Sequence, residues 1–163
     1  MKAVKAICNT ISTLLIVVLI FVAGLLIVPR VIGYDSYAVM SGSMEPVIHV
    51  GAVAYDKPVA FSEIREGDII TYKLSADTLV THRVVRTEDD KLIMKGDANN
   101  TEDGSPVSDS QVVGKCYFNI PYLGYVSMYI RTGLGIGIAC GIIILIILLS
   151  SLPDLFKPDE NKK

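Results

Sequence analysis

Two long runs without a charged residue bracket a mixed polar and apolar segment. Ala6 to Pro29 covers 24 residues and Thr132 to Pro153 covers 22; each exceeds the roughly 20 helical residues that cross a bilayer's hydrocarbon core. Both runs predict transmembrane helices. The first begins after Lys2 and Lys5, as the apolar region of a cleaved leader would. Such a region is about 7 to 15 residues long and ends at a small-x-small site, whereas this one continues through Leu25, Leu26, Ile27 and Val28 to Pro29. It is expected to stay as an anchor.

Between the runs the pattern breaks into short β-branched stretches punctuated by Gly, Asp, Asn and Pro, with no long 3.6-residue period. That punctuation predicts an all-β domain. Strands are expected near Tyr37–Met40, Val47–Tyr55, Asp68–Leu74, Leu79–Thr87, Lys91–Lys95 and Val112–Phe118, with a hairpin turn at Thr87–Asp90. Gly96 to Ser110 reads as a long polar loop, and such loops in compact domains are usually functional or disordered. The expected fold class is mostly β, a β domain held between two transmembrane helices. Its expected segments are an N-terminus at 1–5, a helix at 6–29, the β domain at 30–131, a helix at 132–153 and a tail at 154–163.

Charge adds an orientation. Lys2, Lys5 and the terminal amine precede the first run and Lys157, Lys162 and Lys163 follow the second, a bias that favours both ends in the cytoplasm. Arg30 and Arg131 on the other side keep it modest. Val31 to Ile130 holds eight basic and fourteen acidic residues, a net charge of −6, which argues against a nucleic-acid partner and permits an extracytoplasmic address. The 51% hydrophobic content of the 163 residues is high for a soluble domain. Cys116 is alone in the polar segment, with Cys8 and Cys140 in or beside the apolar runs, so no disulfide forms within the β domain. Tyr34, Tyr37, Tyr122, Tyr125 and Tyr129 flank the runs. They fit an interfacial belt that would lay the β domain against lipid, and they equally fit core packing.

Three polar segments carry candidate chemistry. Ser41-Gly42-Ser43-Met44-Glu45-Pro46 presents two hydroxyls at a bend, with Gly42 allowing the tight turn and Pro46 stiffening its far side; alone it is as easily a plain loop. His82 lies in the β-branched run Leu79–Arg86, on one face with Val80 and Val84, while Thr81 and Arg83 point away. Burial over such a face favours the neutral imidazole, the form that accepts a serine's proton; a structural histidine is the plainer alternative. Lys95–Asp103 supplies carboxylates on a loop, where a third group can orient an imidazole. It is otherwise a solvated acidic turn, without the alternating acids of a calcium loop. His49 stands too near Ser43 on the same run to serve as the base.

In this order and between two membrane spans, the segments resemble type I signal peptidases over roughly Ser36 to Val126. Ser41–Pro46 is similar to that family's nucleophile box. Val80-Thr81-His82-Arg83-Val84 is similar to the base segment of its endoplasmic-reticulum, archaeal and SipW-type branch, which uses histidine where most bacterial members use lysine. No lysine lies between Lys73 and Lys91. Lys95–Asn100 with Asp103 resembles the branch's acidic box, and Val113–Lys115 with Ile120–Gly124 its closing segment. The hairpin between His82 and Gly96 is short for this comparison.

The resemblance implies Ser43 as nucleophile, His82 as general base, Asp103 as the acid that orients His82, Ser41 as a contributor to the oxyanion hole, and Asp97 as a supporting acid that could replace Asp103 in the orienting role. It implies a membrane-bound serine endopeptidase that cleaves signal peptides from secretory preproteins at small-x-small sites on the outer membrane face. No cofactor and no metal are implied. The implied partners are secretory preproteins, the lipid bilayer and accessory membrane subunits. A plasma membrane is favoured over an endoplasmic reticulum, because no long cytoplasmic tail or retention signal is visible. Two other readings remain open: a catalytically silent membrane-anchored β assembly module, and a lysine-dependent peptidase using Lys73 or Lys91.

Overall fold

The uncharged runs are helical. The computed structural model describes residues 2–155, so all but the first two residues of the tail expected at 154–163, with Lys157, Lys162 and Lys163, lie outside the described residues. Three α-helices occur among them: α1 (Lys2–Val31), α2 (Leu123–Tyr129) and α3 (Gly133–Leu155). Within α1 and α3, Ala3–Val31 and Gly133–Ser151 are each long and apolar enough to cross a membrane. The described residues divide into two compact units, one formed by the stretches before Val28 and after Met128 and the other by Val28–Met128.

The first helix runs two residues past Pro29, and its stop signal is Gly33. Gly33 takes the left-handed conformation (φ +89°); its N–H reaches the Arg30 carbonyl at 3.2 Å and the Tyr34 N–H reaches that of Pro29 at 2.9 Å. Those two bonds close the last turn as a Schellman motif, which a glycine permits without a Cβ clash.

The Val28–Met128 unit is built on one six-stranded antiparallel sheet. Its strands are β1 (Asp35–Ala38), β2 (Val53–Lys57), β3 (Ile69–Ser75), β4 (Thr78–Glu88), β5 (Lys91–Lys95) and β6 (Val112–Ile120), in spatial order β1-β2-β6-β3-β4-β5. All pairs are antiparallel. Adjacent β3 and β4 pair Ile70 with His82 and Tyr72 with Val80, and side chains alternate along a strand. Ile70, Tyr72, Val80, His82 and Val84 therefore share one face. That face packs on a cluster in which Ile70, Tyr72 and Val84 meet Leu92, Met94 and Val107, all at most 2% exposed.

Three local expectations are corrected, and the reading of the long loop is refined. The strand expected at Val47–Tyr55 starts only at Val53. Val47 and Ile48 are β-branched, yet their N–H groups bond back to the Met44 carbonyl at 2.9 Å, and the resulting turn buries Met44 and Ile48 against Ala52. Core burial of the turn outweighs the strand preference of its residues. The first strand lies at Asp35–Ala38 rather than Tyr37–Met40, because β2 pairs only as far as Val53 with Ala38. A helix, α2, occupies the segment before α3, where none was expected; it docks as Gly124 donates to the Gly51 carbonyl at 2.9 Å. Gly51 (φ +80°) admits no side chain, since a Cβ would meet the Tyr125 ring at 2.1 Å. Finally, the Gly96–Ser110 loop is anchored: Leu92 and Val107 exchange both backbone bonds at 2.8 Å, and Val107 is 1% exposed.

Candidate active site

Ser41 to Val50 forms a bend stabilised from within. Glu45 donates its N–H to the Gly42 carbonyl at 3.1 Å, and its carboxylate accepts from Val50 N at 3.2 Å and lies 2.5 Å from His49 Nδ1. His49 is thereby committed to Glu45 on an exposed surface. With Met44 pinned in the core at 2% exposure, the bend presents the Ser41 and Ser43 hydroxyls together, 3.3 Å apart.

The acidic loop clasps this bend. Ala98 donates its N–H to the Ser43 carbonyl at 2.9 Å, and a Cβ on Gly96 would stand 2.6 Å from the same carbonyl oxygen. Glycine at 96 lets the two backbones approach this closely.

Farther along the loop, Asp103 donates its N–H to the Met94 carbonyl at 2.8 Å. Its side chain turns to β4, where Oδ2 lies 2.7 Å from His82 Nδ1. An imidazole protonated on Nδ1 donates that bond and leaves Nε2 free to accept a proton. His82 is 7% exposed. The same Asp103 oxygen accepts a second bond, from the Tyr72 hydroxyl on β3 at 2.6 Å. Burial and the adjoining Asp103 carboxylate hold that hydroxyl well above the usual tyrosine range, so it stays a donor.

Asp97 lies elsewhere. Its two oxygens accept from Arg83 Nε at 2.8 Å and Arg83 Nη2 at 2.6 Å, while Arg83 Nη1 donates to the Gly67 carbonyl at 2.7 Å. The fork geometry of arginine suits this bidentate grip, and the Asp97 bond raises the Arg83 guanidinium further. The structure thus brings Asp103, not Asp97, to His82.

Ser41, Ser43 and His82 line one cleft of about 680 Å³, with Tyr37, Val39, Met44 and Leu79 among its apolar walls. Hydroxyls lining the same cleft as an imidazole that is backed by a carboxylate form an arrangement able to activate a nucleophile. Among the described residues no group of three or more His, Cys, Asp and Glu is placed to hold a metal.

No family model matches the chain. It is 42% identical over 89 residues to signal peptidase I W of Bacillus subtilis (strain 168), covering 52% of this chain and 47% of that protein. It is 32% identical over 103 residues to SEC11C, a signal peptidase complex catalytic subunit of Homo sapiens, covering 55% and 54%. To SEC11 of Schizophyllum commune it is 28% identical over 118 residues, covering 55% and 61%. The chain is similar to signal peptidases of the SipW and endoplasmic-reticulum type. It spans about half the length of the curated relatives it matches. The likeness to these signal peptidases accords with a six-stranded β domain in a chain that carries an apolar helix toward each end.

Two site-region residues escape a reading of the sequence. Tyr72 looks like an ordinary strand tyrosine, and only the fold brings it to Asp103, 31 positions away. Asp56, on β2, is 1% exposed, with neither carboxylate oxygen in hydrogen-bond contact. Burial pushes its carboxyl up to about 6, and the neighbouring Thr71 hydroxyl and Cys116 thiol offset this in part. Thr71, which shares a 2.7 Å hydroxyl contact with Thr81, also lines the cleft. A carboxylate within the run Ala54-Tyr55-Asp56-Lys57 looks like a surface strand position in sequence.

Proposed function

We propose that the chain is a membrane-bound serine endopeptidase that removes signal peptides from secretory preproteins. The observation that carries this reading is that Ser41, Ser43 and His82 line one cleft while Asp103 stands behind His82. The similarity to signal peptidases of the SipW and endoplasmic-reticulum type supports the substrate class.

In the proposed mechanism Ser43 Oγ attacks the scissile carbonyl as His82 Nε2 takes its proton. The tetrahedral oxyanion accepts hydrogen bonds from the Ser43 N–H and the Ser41 hydroxyl. Collapse breaks the peptide bond, and the imidazolium protonates the leaving amine, which is the new N-terminus of the mature protein. Water then repeats the attack on the acyl-serine, with His82 again as base, and releases the signal peptide as a carboxylate. Asp103 holds the Nδ1–H throughout and stabilises the imidazolium. The Ser43 hydroxyl meets Ser41 at 3.3 Å, and catalytic hydrogen bonds commonly tighten only when substrate binds. Asp97 supports the site through Arg83.

The substrate lies extended beside the Ser41 segment as an added strand, with small residues first and third before the cut. Because Ser43 is only 13 residues from Arg30 in sequence, the site reaches a bond just outside the bilayer. The β catalytic domain lies on the outer face of a plasma membrane, with both chain ends cytoplasmic. Accessory membrane subunits are its proposed partners, by analogy with the complex for which SEC11C is named.

The test is to incubate membranes carrying the full chain with a secretory preprotein and to sequence the product N-terminus. Cleavage after a small-x-small site supports the proposal. An intact preprotein favours the silent assembly module.

A further inference from the structure

Asp103 Oδ2 is shared. It accepts from His82 Nδ1 at 2.7 Å and from the Tyr72 hydroxyl at 2.6 Å, so two donors converge on it from the adjacent strands β4 and β3. Tyr72 is 2% exposed, its ring sits edge-on to the imidazole with centroids 6.5 Å apart, and it is not among the cleft-lining residues. Its hydrogen bond to the triad goes to Asp103, and its ring edge meets His82.

We infer that Tyr72 is a positioning residue for the triad: its hydroxyl fixes the Asp103 carboxylate against His82 and moderates how strongly that carboxylate holds the imidazolium. The inference rests on the proposed Ser43, His82 and Asp103 roles.

Two physical effects follow. The first is orientation. Asp103 comes from a loop and its side chain is 16% exposed, so one hydrogen bond to an imidazole leaves its carboxylate able to rotate and exchange His82 for water. A second donor, mounted on a strand whose register with β4 is set by the Ile70–His82 and Tyr72–Val80 pairs, removes that freedom. The second effect is electronic. A hydroxyl donating to the carboxylate withdraws charge from the oxygen that faces the imidazolium, which eases return of the proton to the leaving group.

A tyrosine hydroxyl this deeply buried needs a hydrogen-bond partner in any case, so a purely structural role is the rival. That role changes stability alone. The positioning role changes turnover per folded molecule and its pH dependence.

The experiment compares the full-length chain with Tyr72→Phe, Asp103→Ala and Tyr72→Phe/Asp103→Ala in detergent, measuring preprotein cleavage against pH and normalising to folded protein. Tyr72→Phe keeps the ring and removes one charge-assisted bond. We expect kcat to fall about tenfold, KM to stay unchanged, and the acid limb of the rate profile to move to higher pH, because the freed carboxylate holds the imidazolium more tightly. In the Asp103→Ala background, Tyr72→Phe should cost nothing further.

Should Tyr72→Phe not fold, 3-fluorotyrosine placed at 72 strengthens the donor and should move the acid limb to lower pH. Unchanged kcat and an unmoved profile in Tyr72→Phe, or an unmoved profile with the fluorinated residue, overturn the inference. An active Asp103→Ala overturns the triad reading itself; a nearly dead Asp103→Ala beside a normal Tyr72→Phe overturns only the role of Tyr72.

Discussion

Asp97 grips Arg83 with both carboxylate oxygens, at 2.8 Å from Nε and 2.6 Å from Nη2, so it is spent on an ion pair one residue along β4 from His82. Asp103, six residues later, meets His82 itself. The two acids should therefore fail in different ways. Asp103→Ala is expected to lower turnover by a factor of about 10⁴ with the fold retained. Asp97→Ala leaves the half-buried Arg83 without its partner; it should cost on the order of 1–3 kcal/mol of stability and reduce turnover far less. Thermal unfolding and cleavage rates of both variants decide this, and equal small losses of activity would make the whole loop structural.

Gly96 governs how closely the acidic loop can approach the Ser41–Ser43 bend. A methyl group at this position would stand 2.6 Å from the Ser43 carbonyl and 2.7 Å from Asn99 Nδ2. The amide can rotate but the carbonyl cannot, so Gly96→Ala should push Ser43 away from the loop. A displacement of about 1 Å at a reacting group costs on the order of 10² in rate. Single-turnover cleavage by Gly96→Ala should show that loss, and an unchanged rate would mean that the clasp does not position Ser43.

Asp56 should make the folded protein pH-sensitive. Its carboxyl is raised by burial from 3.8 to about 6, so between about pH 4 and 6 the folded state keeps a proton that the unfolded state has lost. Stability then falls as pH rises through that window, and above it the ionised carboxylate costs about 3 kcal/mol. Asp56→Asn is expected to gain about 1–3 kcal/mol at pH 7.5, with the gain shrinking toward pH 4. Denaturation of both proteins at the two pH values checks it; an equal gain at both would assign the effect to packing.

Much of the fold was legible because its signals are local. The uncharged runs, the alternation around His82 and the Thr87–Asp90 turn each need only a few neighbouring residues to be read. The misread places are those where a distant contact decides. Val47 and Ile48 have strand chemistry, yet the core site beside Ala52 draws Ile48 into a turn. Pro29 looks like the end of the first helix, but Gly33 supplies the conformation that ends it. In the site, Ser43, His82 and Asp103 stood out through motif order, whereas the choice between Asp103 and Asp97 needed the loop's path, and Tyr72 needed the β3–β4 register.

Topology offers an independent check on the membrane assignment. If Val31 to Ile130 lies outside the cytoplasm, a reporter enzyme active only outside should work when fused at Gly104, where a Cβ meets nothing within 4 Å. Activity of a strictly cytoplasmic reporter at that site would reverse the orientation.

The central claim is that Ser43 and His82 divide the bond-making and proton-moving steps between them, and the most direct measurement is signal-peptide removal by single variants of the full chain. Ser43→Ala and His82→Ala should each abolish processing, since neither step has a substitute. Ser41→Ala should keep a measurable residue, because losing one oxyanion donor costs roughly 10² to 10³ in rate. His82→Lys should be nearly dead, since a flexible ammonium must be desolvated to lose its proton near neutral pH. Processing by His82→Ala at close to the unmodified rate would contradict the serine–histidine assignment outright.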